Sequence, residues 1–173
     1  RKRAGDLIER LRVSGAPVKW VSAPNMHLTL KFLGNVPSDE ISGICHLVEG
    51  LVEGFPPFAV HCQGLGAFPN VDRPRVIWLG ITQGYEEIVA LQQKIEEAMT
   101  ELGIRPEPRQ FQPHLTLGRI RRGDPTLEQL TELLKQNADF DAGSFDVYDV
   151  AVYSSSLKRQ GPEYTPLIRA PLG

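Results

Sequence analysis

The four residues His-Leu-Thr-Leu occur twice in this chain, at 27–30 and at 114–117, with dissimilar sequence between them. A tandem array would recur several times at a fixed period, so two copies call for a different explanation. Alternation supplies the constraint. Residues two apart in a strand project from the same face. His27 and Thr29 therefore share one face and leave Leu28 and Leu30 on the other; His114 and Thr116 stand over Leu115 and Leu117 in the same way. Each copy has an apolar side to bury under helices and a polar side that needs a polar partner.

The remaining pattern fills in the elements. Helices are predicted over 4–13, 39–53, 85–102 and 124–136. Ser38 is expected as the N-cap of the second, with Asp39 and Glu40 in its first turn. Gly103 follows the third, and Asp124-Pro125 caps and opens the fourth. Strands are predicted at 18–22, 27–33, 57–63, 75–81 and 114–120, with 64–74 ("GLGAFPNVDRP") as a Gly/Pro-rich loop. "SFDVYDVAVYSSSL" reads as one long strand and "EYTPLIRAP" as a final edge strand. Helices and strands mix without strict alternation, so the fold class is α+β with largely antiparallel sheets. A chain of 173 residues suits one domain with a sizeable core.

If the two repeat strands lie side by side, two imidazoles and two hydroxyls converge. Imidazole titrates near neutrality, so one ring can act as base while the other acts as acid. Threonine hydroxyls hold a phosphate oxygen without fixing its charge. Together these groups suit in-line displacement at phosphorus: one His takes a proton from water and the other gives one to the departing oxygen. No metal or other cofactor is expected. The only other Cys and His, Cys45-His46 and His61-Cys62, place each Cys toward the core and each His away from it, so they cannot converge on an ion. Two core cysteines without a pairing pattern fit a reducing, cytoplasmic setting. No apolar run approaches the length of a membrane span.

Net charge is −2, yet from Arg105 to Arg122 five arginines face one acid, Glu107. A positive region around the second repeat suits an anionic ligand. Arg119, Arg121, Arg122 and Lys31 are candidates for phosphate contacts, and Phe32 or Phe68 for stacking on a base. Strict alternation puts Lys31 on the His27 face but Arg119 opposite His114, unless the strand ends or twists there.

Read in order, "VKWVSAPNMHLTLKFLGNV", "GLGAFPNVDRPRVIWLGI", "FQPHLTLGRI" and "SSSLKRQGPEYTPL" resemble the RNA 2′,3′-cyclic phosphodiesterase family, formerly described as 2′-5′ RNA ligase, within the two-histidine phosphoesterase superfamily. The resemblance covers nearly the whole chain. It implies metal-independent hydrolysis of an RNA or nucleoside 2′,3′-cyclic phosphate to a 2′-phosphate. His27 would be the proton donor to O3′, His114 the acceptor from water, and Thr29 and Thr116 the phosphate holders. The residues themselves do not decide which imidazole is which. Hydrolysis of a linear 2′,5′-phosphodiester, or 2′-5′ ligation, would use the same groups, and a nucleotide- or RNA-binding module would use the same pocket. The expected fold is a single two-lobed domain over 1–173, a pseudo-two-fold duplication with antiparallel sheets lining a central cleft and helices outside. The expected partners are RNA ends or nucleotides carrying the cyclic phosphate, with no membrane and a monomeric state. Relatives open with an apolar strand before the first helix; the sequence starts at that helix, so this strand is expected to be missing and a sheet edge uncovered.

Overall fold

The computed structural model describes residues 1–120, 127–158 and 161–173. It is α+β, and the chain divides into two compact units. The first unit comprises Arg1–Thr29, Val60–Tyr85 and Pro113–Phe145; the second comprises Leu30–Ala59, Glu86–Gln112 and Asp146–Gly173.

In the first unit a five-stranded sheet runs β1-β4-β3-β2-β5. The strands are β1 (Val18–Trp20), β2 (Phe58–Phe68), β3 (Val76–Gln83), β4 (His114–Ile120) and β5 (Asp141–Val147). The β1–β4, β4–β3 and β3–β2 pairs are antiparallel. One face of this sheet is buried under helix α1 (Lys2–Arg12) and helix α4 (Leu127–Gln136). Both helices are amphipathic, and Leu7, Ile8 and Leu11 of α1 and Leu130 and Leu134 of α4 meet Leu65, Ile77, Leu79 and Leu117 of the sheet. His61, the second non-motif histidine, is tied across β2 and β5 to Ser144 Oγ at 2.7 Å and to Asp141 Oδ1 at 3.3 Å.

The second unit packs helix α2 (Ile41–Val52) and most of helix α3 (Tyr85–Glu101) against the antiparallel hairpin β6 (Asp149–Lys158) and β7 (Gly161–Pro171). Its core joins Ile44, Val48 and Val52 to Leu91, Ile95 and Met99. Cys45 and Cys62 are both buried and free. Among the described residues, no helix is long and apolar enough to cross a membrane.

Four local expectations are corrected. Residues 27–33 do not form a strand but an extended segment with one isolated bridge, Leu28 to Leu115; a 3₁₀ turn at Ala23–Asn25, with Pro24 inside it, interrupts the edge. Ser38 caps nothing: Glu40 N–H donates to the Pro37 carbonyl, so Ser38–Glu40 form a separate turn and α2 begins at Ile41 with Glu40 as N-cap. The Gly-rich stretch 64–68 continues β2 instead of looping, because Gly66 makes room for a neighbouring indole. The long strand predicted through 144–157 breaks at Tyr148, and β5 and β6 join different sheets. The Asp124-Pro125 cap, together with Arg121 and Arg122, lies outside the described residues.

Candidate active site

All four motif residues belong to the first unit. The edge next to β4 is built in two stretches. β1 pairs Val18, Lys19 and Trp20 with Ile120, Arg119 and Gly118. Beyond the 3₁₀ turn the chain returns to the same strand at Leu28, opposite Leu115. That single bridge sets the register of the two repeats. In an antiparallel pair the residues flanking a bridge oppose one another, so His27 stands opposite Thr116 and Thr29 opposite His114. Directly opposed side chains have Cβ atoms about 4.5–5.5 Å apart, and the diagonal that separates the two histidines is about 7–8 Å. One phosphate group can bridge that diagonal.

The faces agree with this arrangement. Leu115 and Leu117 pack into the helix-covered core, and Leu30 packs into the core of the second unit. His27, Thr29, His114 and Thr116 are half-buried on the other side, a degree of exposure that leaves them reachable from solvent. His27 Nδ1 lies 2.7 Å from the Asn25 carbonyl oxygen. A carbonyl can only accept, so Nδ1 carries the hydrogen and this ring exchanges protons through Nε2. The 3₁₀ turn that interrupts the edge is therefore also what orients the first histidine.

His114 has aromatic neighbours. The Phe68 ring meets it edge-on, with centroids 5.0 Å apart and planes at 86°, and Trp78 lies 6.5 Å away. Phe68 and Trp78 also touch each other at 5.2 Å. Trp78 is the register partner of Thr116 in β4 and of Gly66 in β2, so its indole lies on the motif face. Its Nε1 is buried with no acceptor among the described residues; packing alone holds the ring. Phe68 was a stacking candidate from sequence, whereas Trp78 went unrecognised, since a lone Trp in an apolar run reads as core.

A β-bulge changes where Arg119 points. Ile77 pairs with Gly118 but Trp78 pairs with Thr116, leaving Leu117 as an extra residue in β4. Leu117 and Gly118 are both buried, and a Cβ on Gly118 would press into Val18 and Trp20 on the core side. One step on, Arg119 stands between Lys19 and Val76 on the same face as Thr116. Alternation alone gave the opposite face; the bulge reverses it.

Two further candidates, Lys31 and Phe32, belong to the second unit. The Lys31 ammonium, 3% exposed, donates to both Glu96 carboxylate oxygens at 2.8 and 2.9 Å and to the Arg105 carbonyl. Burial pushes the Glu96 carboxyl up, but the Lys31 hydrogen bond and the Glu107 backbone N–H outweigh it and hold the group below its ordinary value. Lys31 thus serves an ion pair inside the second unit. Phe32, also in the second unit, is 70% exposed. Cys62 is buried on β2, and burial raises its thiol, with the distant positive N-terminus opposing weakly. Among the described residues, no three His, Cys, Asp or Glu side chains gather into a metal site.

The chain's relatives can now be compared with this site. Residues 2–159 match the family model for the 2′-5′ RNA ligase superfamily. A protein named RNA 2′,3′-cyclic phosphodiesterase from Aeropyrum pernix is 36% identical over 165 residues, covering 95% of this chain and 92% of its own. One of the same name from Thermotoga maritima is 35% identical over 167 residues, covering 96% and 86%. Among solved structures, TT0787 of Thermus thermophilus superposes with a TM-score of 0.79 at 27% identity, covering 98% of this chain and 91% of that one. Escherichia coli LigT complexed with 3′-AMP superposes at 0.75 and 26% identity, covering 99% and 92%.

Proposed function

The chain belongs to the 2′-5′ RNA ligase superfamily, and we propose that its paired His-x-Thr-x segments hydrolyse 2′,3′-cyclic phosphates at RNA ends or on nucleosides without a metal. It is an enzyme of the type its relatives are named for, an RNA 2′,3′-cyclic phosphodiesterase. The observation that carries the residue assignment is the Leu28–Leu115 bridge, whose register sets each histidine opposite the other repeat's threonine.

In the proposed reaction water attacks phosphorus and the P–O3′ bond breaks. His114 takes the proton from the attacking water, and His27 gives one to the departing O3′ from Nε2. The product keeps a 2′-phosphate. Thr29 and Thr116 donate their hydroxyls to the non-bridging oxygens, and Arg119, aimed to that face by the bulge, adds a cationic substrate contact. Each histidine finishes in the other's starting protonation state, so a proton exchange with solvent resets the pair.

The same reading has the enzyme working as a monomer in a reducing compartment such as the cytoplasm. Two buried, free cysteines support the compartment, and light scattering at assay concentration checks the monomer.

The test is turnover of adenosine 2′,3′-cyclic phosphate in EDTA, with the product isomer identified by NMR, beside a linear 2′,5′-diadenylate. Chelator-insensitive formation of the 2′-phosphate is expected. Tight binding without turnover, turnover of the linear diester alone, or strict dependence on an added divalent ion would refute it.

A further inference from the structure

Lys19 and Arg119 are direct cross-strand partners at the edge of the sheet, and both are exposed. Like charges placed opposite one another destabilise an antiparallel pair. Val76, next in the row, brings no charge, nor does Phe68 beyond it. No acid pairs with Lys19 or Arg119 among the described residues. Their neighbours along the two strands, Val18, Trp20, Gly118 and Ile120, carry no charge and lie on the core side. A repulsive pair of this kind, with no counter-charge among the described residues, suits an anionic ligand.

Its place in the sheet says which anion. The pair lies on the face that carries His27, Thr29, His114 and Thr116, and the bulge at Leu117 is what puts it there. Along β4, Arg119 is three residues past Thr116, so with one residue bulged the offset is roughly 7–10 Å at about 3.3 Å per residue. Long Lys and Arg stems can shorten that span. This is the scale of the step from one phosphate of a nucleic-acid strand to the next.

Resting on the hydrolase reading above, we propose that Lys19 and Arg119 hold the 5′-phosphate of the nucleotide bearing the cyclic end. A nucleoside 2′,3′-cyclic phosphate lacks that group, whereas any RNA end has it. The site is therefore built for oligonucleotide ends, and Lys19 is the residue that separates them from mononucleotides. Phosphate contacts position the strand without reading its sequence, so the preference is for a chain and not for a base.

The experiment measures KM and kcat for adenosine 2′,3′-cyclic phosphate and for diadenylate ending in a 2′,3′-cyclic phosphate, on wild type, Lys19→Gln and Lys19→Arg. Wild type is expected to show the lower KM for the dinucleotide. In Lys19→Gln the dinucleotide KM should rise about three- to fivefold relative to the mononucleotide KM, the scale of an exposed ion contact. The slope of log KM against log salt for the dinucleotide should fall by about 0.7, one phosphate's share on a single strand. Lys19→Arg should retain both. If Lys19→Gln moves the two KM values together, or moves neither, the second subsite is wrong while the hydrolase reading stands. If wild type turns over neither substrate, the hydrolase reading itself has failed.

Discussion

Gly66→Ala should lower both stability and turnover, although it adds only a methyl group. Gly66 in β2 is opposite Trp78, and a Cβ there would sit 2.4 Å from Cζ2 and Cη2 of the indole. Ordinary contact begins at 3.4 Å, so something must move by about an ångström. The indole is not a loose chain end: Phe68 lies 5.2 Å from it and His114 6.5 Å. Inserting bulk into a packed site of this kind costs about 1–3 kcal/mol, against a gain of about 0.5–1 kcal/mol from replacing glycine. The net loss is then up to roughly 2.5 kcal/mol. At about 2–4 °C per kcal/mol for a protein of this size, Tm should fall by up to about 10 °C. A ring that yields toward Phe68 and His114 displaces the histidine, and a misplacement of about 1 Å at a reacting group can cost up to about 10²-fold. Calorimetry and steady-state kinetics on a cyclic mononucleotide read the two effects. Gly50→Ala is the control, since Gly50 lies in helix α2 with nothing within 4 Å of its Cβ; it should gain about 0.5–1 kcal/mol without touching kcat. If Gly66→Ala stabilised the protein as Gly50→Ala does and left kcat unchanged, the aromatic support of His114 would be wrong.

Three further outcomes are expected. His27→Ala and His114→Ala should each lower kcat by about 10²–10⁴, the double mutant losing far less than the product of the singles; Thr29→Val and Thr116→Val should each cost about 1.5–3 kcal/mol in kcat/KM. Glu96 is held below its ordinary value of 4.5, so the stability it lends is full above that pH and is lost as pH falls through the lowered value. Lys31→Met should therefore cost about 3 kcal/mol at neutral pH, shrinking below about pH 4.5 as Glu96 protonates, which melts across pH would follow. Pro24→Gly should loosen the turn that presents the Asn25 carbonyl to His27 and lower kcat more than it raises KM.

Period-2 alternation located the two motifs, their polar faces and the bounds of β4, because those depend on neighbours along the chain. What stayed hidden depends on neighbours across it. Gly64 and Gly66 read as loop residues, yet Gly66 is strand because Trp78 lies over it. Lys31 read as a free cation beside a histidine; its partner Glu96 comes from another element, and nothing near Lys31 announces it. Strict alternation turns Arg119 away from His114 unless the strand twists, and one bulged residue, Leu117, inverts the alternation in a way that only the β3 register reveals. The strand break at Tyr148 is likewise a matter of which sheet each half joins.

The two repeats are identical in sequence and unlike in support. Around the Leu28–Leu115 bridge they are related by a local two-fold, which by itself would make the histidines equivalent. Two equivalent imidazoles can still act as acid and base in one step, one protonated and the other neutral, so the roles follow from the bound substrate and from whatever differs around the two rings. The second copy is an interior strand, paired on both sides and flanked by Phe68 and Trp78. The first touches the sheet at one residue and hangs from a 3₁₀ turn, with His27 fixed through a backbone carbonyl. Leu28 comes eight positions after Trp20, whereas their partners Gly118 and Leu115 are only three positions apart. That excess in the first copy forms the turn, and the turn supplies the carbonyl that commits Nδ1. What distinguishes the two copies therefore lies outside the repeated letters, in the residues that interrupt the edge before the first copy and in the aromatic pair beside the second.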